Sequence, residues 1–238
     1  MKVNFKRLFN NYYIYLCIII NCLMVGLGYV LLVTLDNCVH VNAKLLIESV
    51  YSVYTQFGML MLSPLFIYQI YIDYKEKNIL FYKYHNYNAV TYFLSKVLSQ
   101  LVVLLIGTFF SSLTTCIIAN DFRFLFVQFA KCSMVMLFYL FIASFCAFIV
   151  NSYIFSFFIN LAIWLIGIIV SSLTKGLRYL AYYDSSGNNF KGYILYINGK
   201  TKLYSNIFIK DLTFDLVVVV IIVVLIFALR KRWIKNGI

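Results

Sequence analysis

The sequence predicts an all-α integral membrane protein with six transmembrane helices, and three observations predict it. Of 238 residues, 63% are hydrophobic and 12% charged, with a mean hydropathy of +0.89. An ordinary globular chain is about 45–50% apolar and about 25% charged. Proline appears once and glycine ten times, which excludes collagen-like, disordered and loop-rich β chains. The apolar residues gather into six runs near the ~20 residues that a membrane-crossing helix needs. What lies between the runs is too short for a soluble catalytic domain of ~50 residues or more, so residues 1–238 read as a single transmembrane domain.

Span one, about 12–35, follows Lys2, Lys6 and Arg7. It exceeds the ~7–15-residue core of a signal peptide and lacks a small-residue cleavage site, so it reads as a retained anchor. Span two, about 50–72, holds the lone Pro64, which a transmembrane helix tolerates as a kink. Span three covers about 89–118 and is long enough to tilt. Span four runs from about 122 to 150, and Asn151-Ser152 turns tightly into span five, about 153–174. Span six, about 212–229, ends at Arg230-Lys231-Arg232; its Val217–Val224 run is β-branched, but the flanking charges and the lack of alternation favour a helix.

Orientation follows from the basic residues. Six spans place both termini on the side of the 73–88 and 151–152 connections. That side carries Lys2, Lys6, Arg7, Lys75, Lys77, Lys83, Lys96, Arg230, Lys231, Arg232 and Lys235 against Asp73 and Glu76. The positive-inside rule makes it cytoplasmic. The outer 175–210 loop is basic as well, with Lys175, Arg178, Lys191, Lys200, Lys202 and Lys210. Within it, Tyr193–Ile197, Asn198-Gly199 and Lys200–Tyr204 predict a small extracytoplasmic β-hairpin, because Asn-Gly suits a two-residue turn between β-prone flanks. Leu177, Leu180 and Ala181 predict a short interfacial helix before it.

In the 73–88 connection, Asp73 and Glu76 have the spacing of a capping box, which predicts a cytoplasmic helix over Lys75–Tyr84. Asp73-Tyr-Lys-Glu-Lys-Asn-Ile-Leu-Phe-Tyr-Lys83, followed by Tyr92-Phe-Leu-Ser-Lys96 opening span three, resembles ABC-2 type transporter permeases. In that family an acidic residue after span two leads a coupling helix, and a lysine opens span three. The resemblance extends to the layout of the whole chain, although Asn78-Ile79 stand where the family often has Gly-Thr and only Met1–Asn10 is available for an N-terminal elbow helix. It implies contact with a separate ABC ATPase subunit through Lys75, Glu76, Lys77 and Ile79. It further implies a second permease copy or paralogue, with ATP and Mg on the ATPase partner and no cofactor in this chain.

Polar residues recur at helical spacing on two spans: Ser52, Thr55, Gln56, Met59 and Ser63 on span two, and Ser156, Asn160, Trp164, Gly167 and Ser171 on span five. Such stripes serve helix packing or face a substrate. In the resembled family these two spans line the path, which would place Gln56, Ser63, Ser156, Asn160 and Trp164 along it. Acidic and basic residues are expected only near span ends, which counts against a proton-coupled carrier.

No catalytic pattern is present. GxxxxGK[ST], HExxH, GxSxG and CxxC are all missing, so no ATPase, metallohydrolase or serine hydrolase chemistry is expected of this chain. Gly26-x-Gly28 predicts close helix packing. His40 and His85 fall on opposite sides of the membrane and share no metal. Cys38 and Cys116 both fall near outer span ends, where a disulfide is open. The basic residues sit at membrane ends and the aromatics belong to the lipid interface, so lipid rather than nucleic acid is the expected surroundings. The expected function is the permease subunit of an ABC exporter moving an amphipathic peptide or other hydrophobic substrate. The alternative is a non-transporting immunity or sensor protein that binds a ligand through its outer loop.

Overall fold

The computed structural model describes residues 8, 12–34, 42–150, 152–173, 179, 181–185, 187–199 and 205–230. Among them every regular element is helical: α1 (Tyr13–Thr34), α2 (Ala43–Lys75), α3 (Asn78–Tyr84), α4 (Ala89–Ala119), α5 (Leu125–Ile149), α6 (Tyr153–Leu173), α7 (Asn188–Ile197) and α8 (Ser205–Ala228). Six of these, α1, α2, α4, α5, α6 and α8, are long and apolar enough to cross a membrane. They match the six predicted spans.

The boundaries differ where charge interrupts the apolar run. Helix α2 starts at Ala43, ahead of the predicted Val50, with the Asn42 side chain accepting from the Lys44 amide. Lys44 and Glu48 ended the apolar run but not the helix. At 33 residues, α2 is roughly 50 Å long, well beyond the ~30 Å of a hydrocarbon core, so its charged ends reach past it. Helix α8 likewise starts at Ser205. Pro64 lies inside α2 without ending it. Of the N-terminal stretch only Leu8 is described, and it is buried.

Helices α2 and α5 are the most buried spans. Helices α1 and α4 pack with both α2 and each other, α6 packs on α2 and α5, and α8 packs on α5 and α4. Close approach of α1 and α2 rests on Gly28: a Cβ there would stand 2.9 Å from a Val50 side-chain carbon and 3.0 Å from the Val50 Cα. The Ser49 hydroxyl also donates to the Gly28 carbonyl at 2.7 Å. Gly26 has open space around it, so only the second glycine performs the predicted packing role. Gly28→Leu should lower thermal stability in detergent by ~1–3 kcal/mol, whereas Gly26→Leu should leave it unchanged; equal losses would overturn the assignment.

The predicted hairpin is corrected. Tyr193–Ile197 is the second half of α7. Tyr193 and Ile197, one turn apart, are each 1% exposed on one face, and Tyr193 packs edge-on against Tyr51 at 4.6 Å. Asn198-Gly199 ends this helix instead of turning a hairpin. Gly199 takes φ +73, and its amide donates to the Tyr196 carbonyl at 2.9 Å, a glycine C-terminal stop. The predicted second strand, Lys200–Tyr204, lies outside the described residues. Leu177 and Leu180 of the predicted interfacial helix do too.

Candidate functional site

Features of functional interest gather at the two ends of the bundle and along the seam between α2 and α6. At the 76–88 end, Glu76 closes α2 with its amide on the Ile72 carbonyl, Lys77 takes a left-handed φ of 56, and α3 begins at Asn78. The predicted capping role of Asp73 is therefore corrected. Asp73 lies inside α2, fully buried, with a carboxylate oxygen 2.5 Å from the Lys96 ammonium. The Tyr92 hydroxyl donates to the same oxygen at 3.0 Å. The carboxylate is engaged by α4 and leads no helix.

Helix α3 rests on this pair. The Tyr82 ring lies 5.5 Å from the Lys96 ammonium and packs on Tyr87 and Tyr92. Ile79 is 1% exposed and turned into the bundle, so it cannot be part of an outward docking face. Leu80, Phe81 and Tyr84 are exposed in its stead, beside exposed Lys75, Glu76 and Lys77. Asn78 donates to the Glu76 carboxylate at 2.9 Å, and partial burial lowers the Lys83 ammonium's pKa. His85 contacts the Phe81 carbonyl through Nδ1 at 2.9 Å.

Along the seam, Ser156, Asn160 and Gly167 are buried and Trp164 is half-buried, while their neighbours Phe155, Phe158, Ile159 and Ile166 are exposed. The predicted polar stripe is thus the face that α6 turns to the bundle. Its members have different surroundings. The Ser156 hydroxyl donates to the Val150 and Ser152 carbonyls, serving the start of its own helix. Trp164 lines a cleft of about 30 Å³ with Thr55, Met59, Tyr139, Tyr183 and Asp184. One turn from Trp164 and Met59 lie Asn160 and Ser63, fully buried, with neither the Asn160 amide nor the Ser63 hydroxyl hydrogen-bonded. Gln56, exposed at the mouth, donates to the Ser185 hydroxyl at 2.9 Å. The Ser171 side chain lies outside the described residues.

The opposite end holds what the sequence analysis missed. Lys131 on α5 is 1% exposed, and its ammonium contacts an Asp211 carboxylate oxygen of α8 at 2.5 Å and the Asn189 side-chain amide oxygen of α7 at 2.9 Å. The rings of Tyr193 and Phe208 lie 5.7 and 5.5 Å from the same ammonium. The Tyr182 hydroxyl donates to Asp211 and the Tyr183 hydroxyl to Asp215, each at 3.0 Å. Burial first, then the neighbouring carboxylates, push both phenols up, which keeps them protonated donors. Lys131 corrects the expectation that ionisable residues occur only near span ends, while Asp211 and Asp215, at the start of the predicted sixth span, keep to it. Two signals were available: a lone lysine well inside an apolar run, and aspartates four apart, which share a helix face. In the nearby 120–124 turn, hydrogen bonds from Arg123 hold the pKa of the half-buried Asp121 carboxyl down to about 2.

Among the described residues no three His, Cys, Asp or Glu side chains gather as metal ligands would. Cys116 is a free, buried thiol; Cys38 and His40 lie outside the described residues.

The chain matches the family described as "Peptide export permease protein YydJ family" over residues 1–238. The chain belongs to that family. It is 27% identical over 244 residues to the "Probable peptide export permease protein YydJ" of Bacillus subtilis (strain 168), covering 100% of both chains. No solved structure matches it. Family membership agrees with the resemblance to ABC-2 type permeases and, with the six apolar helices, makes this a multi-pass membrane protein.

Proposed function

We propose that this chain is the membrane-spanning subunit of an ATP-driven peptide exporter. Membership of a peptide export permease family over the whole chain is the observation that carries this reading. In it, the 76–88 end is cytoplasmic, in keeping with Lys75, Lys77, Lys83 and Lys96 there. A separate ATPase subunit, which holds ATP and Mg, docks on α3 through Leu80, Phe81 and Tyr84, with Lys75, Glu76 and Lys77 as the charged rim. A large aromatic or aliphatic side chain set in a partner's pocket, ringed by polar groups, is the usual anchor of such an interface.

Force applied to α3 passes into the bundle through buried Ile79 and through Tyr82, whose ring sits over Lys96 of the Asp73–Lys96 pair joining α2 to α4. Helix α2 carries the displacement along the seam to Met59 and Thr55, where the cleft against Trp164 opens to the cargo. A second permease copy completes the path. The unpartnered Asn160 amide and Ser63 hydroxyl suit this role, because an extended peptide offers the carbonyls and amides they lack.

The test is co-purification in mild detergent. The native chain should bring down an ATPase subunit. Leu80→Glu combined with Phe81→Glu, both at exposed positions, should reduce recovery at least tenfold without changing expression or elution volume. Undiminished recovery would remove α3 as the docking site, and a native preparation without any ATPase would overturn the exporter reading.

A further inference from the structure

Residues 181–185 and 187–199 fold back over the mouth of the α2–α6 seam. Ala181, Tyr183 and Asp184 line the cleft from above, opposite Thr55, Met59 and Trp164. The segment is tied to three spans. Gln56 of α2 donates to Ser185, and Tyr51 of α2 stacks on Phe190 at 5.5 Å. On α5, Lys131 holds Asn189, and Phe138 packs on Tyr183 at 5.6 Å. On α8, Asp211 and Asp215 accept from Tyr182 and Tyr183, and Phe214 stacks on Tyr182 at 4.1 Å.

The interface is aromatic and polar, and it is only partly satisfied. The hydroxyls of Tyr51 and Tyr193 and the Asn189 amide nitrogen are buried without a hydrogen-bond partner. Each buried unpaired polar group carries a desolvation penalty that is relieved when it reaches water. Separation of this interface therefore regains hydration at several groups. The hydrogen bonds of Lys131 to Asn189, Tyr182 to Asp211, Tyr183 to Asp215 and Gln56 to Ser185 oppose the separation, three of them to charged groups.

We infer that residues 181–185 and 187–199 form a releasable cap over the seam, latched where Lys131 holds Asn189 and where Asp211 and Asp215 accept from Tyr182 and Tyr183, and that export requires the latch to open. The inference rests on the proposed function for the side of the membrane that the cap faces and for what passes beneath it. The latch itself follows from the contacts above.

Accessibility of the cleft tests it without cargo or ATPase. Met59→Cys places a thiol beneath the cap, and a membrane-impermeant maleimide reports its exposure against the chain lacking that cysteine. In intact cells Cys-substituted position 59 should label slowly. Adding Lys131→Gln with Asp211→Asn and Asp215→Asn, which removes all three charges and leaves none stranded, should raise the labelling rate about tenfold or more. Adding Gln56→Cys with Ser185→Cys and oxidising should suppress labelling, and reductant should restore it. The same series in inside-out vesicles separates the two layers of the inference. A response confined to vesicles keeps the cap but reverses the proposed orientation. Labelling that is unchanged by both the neutralised latch and the cross-link, in cells and in vesicles, overturns the cap.

Discussion

Lys96→Met should destabilise the protein by about 3–5 kcal/mol, the usual loss when one partner of a buried ion pair is removed. Asp73 is fully buried and Lys96 only 3% exposed, so the carboxylate would lose the ammonium in contact with it and gain no solvent in exchange. The Tyr92 hydroxyl's hydrogen bond at 3.0 Å does not replace an ammonium in contact. The loss belongs to the uncompensated charge and not to the pair as such. Replacing both members by apolar residues of similar volume, Asp73→Leu with Lys96→Met, should therefore recover most of the stability. Thermal unfolding of the three variants in one detergent checks this, and a double variant as unstable as the single would sink it. Recovery of stability should not restore function. The Tyr82 ring rests over Lys96, so the apolar pair leaves α3 without its electrostatic seat, and co-purification of the ATPase should stay weakened.

The same residues show what the sequence could and could not convey. The inward stripe of α6 was legible because Ser156, Asn160, Trp164 and Gly167 repeat at helical period on an otherwise apolar helix, and that is the face the bundle covers. Span boundaries were legible wherever an apolar run ended the helix, and failed at Ala43 and Ser205, where the helix continued through charged residues. Asp73 and Glu76 have capping-box spacing, yet the decisive contact for Asp73 comes from Lys96 across the bundle; a local pattern carries no information about that partner. Ile79 illustrates the limit within one turn. It shares its short helix with Leu80 and Phe81, and only the placement of Tyr82 over the ion pair fixes which of them faces inward. Tyr193–Ile197 is short enough to suit either a strand or a helix, and the aromatic contact with Tyr51 accompanies the helical outcome.

Lys131→Met should be the most damaging substitution at the opposite end, at or above the ~3–5 kcal/mol of a broken buried pair. It strands two carboxylates where Lys96→Met strands one: Asp211 is fully buried, Asp215 is 5% exposed and they lie a helical turn apart. The three charges are unequal in their consequences, because one ammonium serves two carboxylates. Asp211→Asn removes the direct contact but leaves Asp215, which also acts electrostatically on Lys131, so its effect should be roughly half that of Lys131→Met. Asp215→Asn removes the surplus negative charge and preserves a group that can accept from the Tyr183 hydroxyl, so it should be close to neutral. Thermal unfolding should therefore rank Lys131→Met well below Asp211→Asn, and Asp211→Asn below Asp215→Asn. A loss at Asp215→Asn as large as at Lys131→Met would mean that both carboxylates are needed to hold the ammonium, and the surplus-charge account would fall. The ranking also dictates how the latch can be loosened without unfolding the bundle. Lys131, Asp211 and Asp215 must be neutralised together, since neutralising the lysine alone leaves two buried carboxylates on one helix and neutralising the Lys131–Asp211 pair still leaves one.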